Sequence, residues 1–184
     1  MVGDVEHFSP AAGMVTDAAA SVAQSNADAI FIPQGGQLLR GIVPALSLDN
    51  VDPTKVKLLG TGLWDDPANL HEPLLAGAWF AAPQPSADAS FDASYAKTYG
   101  SNPPPLAGLA YDAMSLVALL APGPAYHRFT EAALTDPNGF AGVDGIFRFR
   151  RDGTIERGLA VLAIDPGGFQ VVSPAPTTFQ PGAS

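Results

Sequence analysis

From residue 13 onward the chain alternates short apolar runs with stretches of helical period. GMVTDAAASVAQS (13–25) is rich in alanine and predicts a helix. The apolar run DAIFIP predicts a buried strand over 28–32, ended by Pro33. GGQLLRGIVPAL predicts a second helix, whose length Gly41 and Pro44 limit. After the loop LDNVDPT, KVKLLG predicts a strand over 55–60, and GAWFAAP (77–83) a third. Helix, strand, helix, strand is the order of a parallel sheet with right-handed crossovers.

The pattern then changes. Phe91, Tyr95 and Tyr99 fall four apart in DASFDASYAKTY (88–99), placing an aromatic stripe on one helix face, as core packing requires. LAGLAYDAMSLVALLA (106–121) is apolar on nearly every side, so this helix is either buried between other elements or lacks a partner. AYHRFTEAALTD predicts a short amphipathic helix. GVDGIFRFRRDGTIERGLAVLAID (142–165) predicts a strand, a tight turn at Asp152-Gly153 and a second strand. The expected fold class is therefore α/β, a mostly parallel sheet flanked by helices and closing with an antiparallel hairpin.

Charge narrows the function classes. Nine basic against eighteen acidic side chains leave a formal net charge of -9, which repels phosphate backbones and anionic membranes, so no nucleic-acid partner is expected. Apolar residues make up 47% and charged residues 15%, a composition that folds. The chain has no cysteine, which removes disulfides, thiolate metal sites and a cysteine nucleophile. MVGDVEHFSP has neither the basic nor the apolar region of a signal peptide, and no run is long enough to span a membrane.

Two strands end in glycine-rich turns, AIFIPQGGQLL and KLLGTGLWDD. In open α/β sheets the ligand lies beyond the carboxyl ends of the strands, so neighbouring strands ending this way would direct both turns into one crevice. Gln34 offers an amide, and Gly35 and Gly36 offer backbone N–H groups at a helix start, suited to a carboxylate. Thr61 adds a hydroxyl and Trp64 an aromatic wall. Tyr111, in the apolar helix, either presents its hydroxyl to a cleft or is a core tyrosine. No catalytic, metal or cofactor group is expected. PQGG lacks the Gly-Lys-Ser/Thr of a phosphate loop, His71-Glu72-Pro73 excludes HExxH on a continuous helix, and no serine sits in GxSxG. A helix cap before Pro67 accounts for Asp65-Asp66 better than a carboxylate pair does.

Taken in order, ADAIFIPQGG, KLLGTGLWDD, GAWFAAP, the Phe91-Tyr95-Tyr99 stripe, LAYDAMSLVA and GVDGIFRFRRDGTIERGLAVLAI resemble the second half of the type I periplasmic solute-binding proteins, in particular the branched-chain amino-acid-type substrate-binding subunits of ABC transporters. The resemblance implies two α/β lobes closing on a small-molecule solute, with an ABC permease as partner of the full-length protein and the periplasm as its location. It implies no enzyme activity. It assigns residues 1–83 to the second lobe, 84–141 to a mainly helical first-lobe portion, and 142–184 to closing strands and a tail. It places Gln34, Gly35 and Gly36, and the span Gly62, Leu63 and Trp64, on or near the cleft, with Asp65 the acid available to a ligand ammonium. About half of a typical member is expected to be absent, which would leave the 106–121 helix uncovered and able to pair with a second copy. Two rivals stand beside this reading: a regulatory sensor of the same fold, such as a cell-wall synthase activator, and a small α/β enzyme.

Overall fold

A computed structural model describes residues 3–9, 14–104, 106–124 and 126–179. In chain order the elements are α1 (Met14–Gln24), β1 (Ala29–Ile32), α2 (Gly36–Leu48), β2 (Lys57–Gly60), β3 (Trp79–Ala82), α3 (Pro85–Tyr99), α4 (Ala107–Leu120), α5 (Glu131–Leu134), β4 (Phe147–Phe149), β5 (Ile155–Arg157), β6 (Ala160–Asp165) and β7 (Gly168–Ser173). They form two compact units, residues 1–82 with 161–172 and residues 83–160 with 173–184.

The first unit is built on a five-stranded sheet of order β1-β2-β3-β6-β7. β1, β2 and β3 are parallel, with Phe31 beside Leu59 and Leu59 beside Trp79. β6 joins the edge of β3: the Gly77 N–H donates to the Ile164 carbonyl (2.8 Å) and the Ile164 N–H to the Ala78 carbonyl (2.9 Å). Alternation sorts the side chains. Ile32, Leu58, Phe80, Ala82, Leu162 and Ile164 are buried, whereas Phe31 and Trp79, at the alternate positions, stay exposed. α2 buries Leu39, Ile42, Val43 and Leu46, the i, i+3, i+4, i+7 stripe of an amphipathic helix. It runs two residues past the expected end at Leu46, because Pro44 lies on its exposed side while Ala45 and Leu46 hold the last turn in the core.

Between β2 and β3 the chain makes three short 3₁₀ turns, and Trp64 at the end of the first has no exposed surface. Its indole fills the space over Gly60: a β-carbon there would lie 2.1 Å from the ring. Only glycine fits this position in β2.

In the second unit, Phe91, Tyr95 and Tyr99 stack along α3, and Phe91 meets Tyr111 of α4 at 5.2 Å between ring centroids. β4 and β5 form a separate antiparallel pair, Phe147 opposite Arg157 and Phe149 opposite Ile155. The turn between them is set by Asp152, which accepts hydrogen bonds from the Thr154 N–H and hydroxyl, and by Gly153 at φ 82°. The expected second strand of this hairpin is thus two strands. Gly158 interrupts it, because a side chain there would strike Ile146 and Pro176, and the apolar LAVLAI segment leaves β5 to join the large sheet as β6. The helix expected over 125–136 shortens to α5. The left-handed backbone of Phe129 (φ 57°) stops a helix before it, and the Thr130 hydroxyl caps α5.

One buried carboxylate organises this unit. Asp112 of α4 is 3% exposed and accepts the Val143 N–H (2.7 Å) and the Arg157 guanidinium (2.8 Å). Gly142 lies against it, with no room for a β-carbon. Asp144 from the same loop rests against Gly108. Desolvation holds its carboxyl above the usual range, opposed by Arg157 and reinforced by Asp112 and Asp92.

Trp64→Ala is expected to cost about 3–5 kcal/mol, and Gly60→Ala about 1–3 kcal/mol through overpacking, both read from urea midpoints. Asp112→Ala is expected to cost about 3–5 kcal/mol, because Arg157 and the Val143 N–H lose their buried partner. Since the folded state raises the Asp144 pKa, its ionised form penalises folding at neutral pH and the penalty fades as pH falls through the folded value. Asp144→Asn should therefore raise the melting temperature at pH 7 and leave it nearly unchanged in acid.

Candidate functional site

The ends of β1 and β2 carry the two glycine-rich turns, and the first unit brings them into contact. Gly35 backs onto Leu63 so closely that a β-carbon would lie 2.8 Å from both the Leu63 side chain and its carbonyl. The Trp64 indole N–H donates to the Gln34 carbonyl at 2.8 Å, tying the second turn to the first. The Asn69 amide in turn donates to the Trp64 carbonyl at 2.9 Å. Gly62 approaches the Ala81 carbonyl of β3 at 3.5 Å from the β-carbon position, so a third strand end adjoins the pair.

Each turn is shaped by its own residues. Gly36 takes φ 57°, a backbone open to glycine, and nothing lies within 4 Å of its β-carbon position. Gly35 is the N-cap of α2 and has no side chain to satisfy the first N–H groups of the helix. The positive end of α2 therefore opens beside the turn. The Thr61 hydroxyl accepts the Leu63 N–H (3.3 Å) and caps the 3₁₀ turn. Asp66 caps the following turn through Ala68 and faces Arg40 of α2 at 3.8 Å. Asp65 is exposed, yet desolvation by the surrounding turns, with the like charge of Asp66 second, holds its carboxyl above the ordinary range.

Gln34, Gly35, Gly36, Thr61, Gly62 and Asp65 thus lie on two adjoining turns. Trp64 is different in kind: with no exposed surface it forms a wall inside the fold and holds the backbone of both turns from below. Tyr111 belongs to the second unit, half exposed on α4 with its ring against Phe91. The resemblance put Leu63 near the cleft only as part of the Gly62–Trp64 span and gave its side chain no role. Leu63 is 62% exposed and seated between the turns, and the signal for it was the missing side chain at Gly35 rather than anything in Leu63 itself.

A groove of about 540 Å³ occurs elsewhere, in the second unit, lined by Arg148, Arg150, Arg151 and Glu156 among others. Its charges are largely satisfied internally, because Arg148 and Arg150 both donate to one oxygen of Glu156. The paired turns, beside a helix start that has no side-chain cap among the described residues, are the better site.

No curated protein matches the chain. Among solved structures, a branched-chain amino acid ABC transporter protein from Rhodospirillum rubrum aligns at 22% identity and TM-score 0.70, over 89% of this chain and 49% of that one. A solute-binding protein of an ABC transporter from R. palustris, solved in complex with benzoate, aligns at 17% identity and TM-score 0.60, over 95% and 50%. The C-domain of LpoA from Haemophilus influenzae, a regulator of PBP1A, aligns at 17% identity and TM-score 0.59, over 85% and 49%. At these identities the likeness is one of fold, and the chain spans about half the length of each structure. No helix among the described residues is long and apolar enough to cross a membrane. A family profile for periplasmic binding proteins matches residues 2–169, most of the 184, and the chain belongs to the periplasmic binding protein family.

Proposed function

We propose that this chain is the ligand-binding portion of an exported solute-binding protein that delivers a small polar solute, an amino acid or related organic acid, to an ABC permease from the periplasm. The observation that carries the reading is the pairing of the two turns through Leu63 and Trp64, with the N-terminus of α2, which no side chain among the described residues caps, beside them. Backbone N–H groups of Gly35 and Gly36 would receive the solute carboxylate, and the Gln34 amide and Thr61 hydroxyl would fix its orientation. Asp65 would accept an ammonium where the solute has one. Residues 1–83 then serve as the greater part of the second lobe, 84–141 as a mainly helical part of the first, to which Tyr111 belongs, and 142–184 as closing strands and tail. The reading includes no catalytic step and no cofactor. Structural likeness to benzoate- and amino acid-related transport proteins supports an organic acid as the solute class.

A second reading, regulation through protein contact, is favoured by the apolar surface of α4 and by the likeness to LpoA.

The test is a thermal-shift screen of amino acids and aromatic acids, followed by calorimetry of any hit. Solute binding supports transport; a chain indifferent to the panel supports the protein-contact reading. For the hit, Gly35→Ala should weaken binding at least roughly tenfold by pushing the turns apart at Leu63, and an unchanged affinity would remove the first turn from the site. Where the solute carries an ammonium, affinity should begin to fall at a higher pH than an ordinary aspartate would dictate. The raised pKa protonates Asp65 early, and Asp65→Asn should abolish that pH dependence.

A further inference from the structure

The fold of the second unit imposes a glycine directly after an asparagine. Gly139 takes φ 70°, and a β-carbon there would lie 2.6 Å from the Phe147 carbonyl and 2.7 Å from the Phe179 ring, so a larger residue does not fit. Asn138 precedes it, in the turn between α5 and β4. Oδ1 of Asp136 accepts both the Asn138 backbone N–H (2.8 Å) and the Asn138 side-chain amide (3.1 Å). The Asp136 carbonyl accepts the Gly139 N–H (2.9 Å). Asp136 therefore holds the two groups that can react with each other across an asparagine–glycine pair, the glycine nitrogen and the asparagine amide.

Of the five asparagines in the chain, Asn138 alone precedes a glycine; the others precede Ala27, Val51, Leu70 and Pro103. A side chain on the following residue crowds the approach of its nitrogen to the asparagine amide carbon, and the Pro103 nitrogen has no proton to lose. Gly139 carries neither obstacle.

We propose that Asn138 is a site of spontaneous deamidation, in which the Gly139 nitrogen displaces the Asn138 side-chain amide, and that Asp136 sets the rate by keeping the turn closed. Hydroxide takes the Gly139 amide proton, the nitrogen bonds to the Asn138 carboxamide carbon, and the bond from that carbon to Nδ2 breaks. The displaced nitrogen leaves as ammonia with a proton from water, and nothing is oxidised or reduced. Water then opens the resulting succinimide at either carbonyl, leaving aspartate or isoaspartate at position 138. While the turn is closed both reacting groups are bonded to Asp136, so the step proceeds through local opening. Both products oppose reclosure. Aspartate sets a second carboxylate beside Asp136 where a donor stood, and isoaspartate adds a methylene to the main chain two residues before the Phe140–Phe147 bridge, whose hydrogen bonds measure 2.7 and 2.9 Å. The chemistry uses residues 136–139 and water alone and stands apart from the solute reading.

The test is peptide mapping by mass spectrometry of the 184-residue chain held in mildly alkaline buffer, folded and in urea. Acid products should collect at Asn138 ahead of Asn26, Asn50, Asn69 and Asn102, and faster in urea than in the folded chain. Asp136→Ala should speed conversion in the folded chain at least roughly tenfold with an unchanged circular dichroism spectrum, and should change little in urea. Asp136→Asn, which keeps an acceptor oxygen in the turn, should stay near the rate of the unsubstituted chain. Conversion of another asparagine first in the folded chain would overturn the proposal, as would equal rates folded and in urea. So would equal conversion of the folded Asp136→Ala and unsubstituted chains, an absence of conversion in both included, or an Asp136→Asn chain as fast as Asp136→Ala.

Discussion

The first unit depends on one side chain filling one vacancy. Trp64 enters the space that Gly60 leaves empty and donates its single indole N–H to the Gln34 carbonyl. Any side chain at Gly60 would evict the ring, and without the ring the two strand-end turns lose their common support. Burial and hydrogen bonding therefore act together at Trp64: the apolar surface secures the core, and the polar tip sets the distance between turns 30 residues apart in sequence. Asn69 extends the same logic by holding the Trp64 carbonyl from behind.

The second unit solves a related problem with charge. Its longest apolar helix carries an aspartate, and the buried carboxylate is satisfied by one guanidinium and one backbone N–H, with glycine at the point of closest approach. A charge so placed is destabilising unless fully paired, and the pairing admits only one register between α4 and the loop at 142–145. The penalty is local: Asp144 sits against Gly108 in a setting that disfavours its ionised form. The Asp152 turn, where the carboxylate is fully exposed, shows the opposite case, since hydrogen bonds from Thr154 favour the ion there.

Both units leave apolar surface open. Phe31 and Trp79 lie on the side of the sheet opposite its buried set, and α4 shows most of its circumference. Lys57 partly shields the sheet, its ammonium 4.9 Å from the Trp79 ring centroid and bonded to the Gly77 carbonyl. α4 has no comparable screen among the described residues.

The sequence by itself determined the α/β class, the order of the first five elements and the two glycine turns, because period, proline and glycine act locally and show in the residues that carry them. Membership of the family was legible for the same reason, in the order of short motifs and not in any single one. Tertiary structure alone decided that Trp64 faces inward, since the empty space it fills belongs to Gly60 and the acceptor it needs belongs to Gln34. It alone divided the closing hairpin at Gly158, where the crowding comes from Ile146 and from Pro176, eighteen residues away. It alone gave Asp112 its partners, 31 and 45 residues downstream. In each case the deciding contact joins residues that no local pattern relates, and only packing brings them within reach.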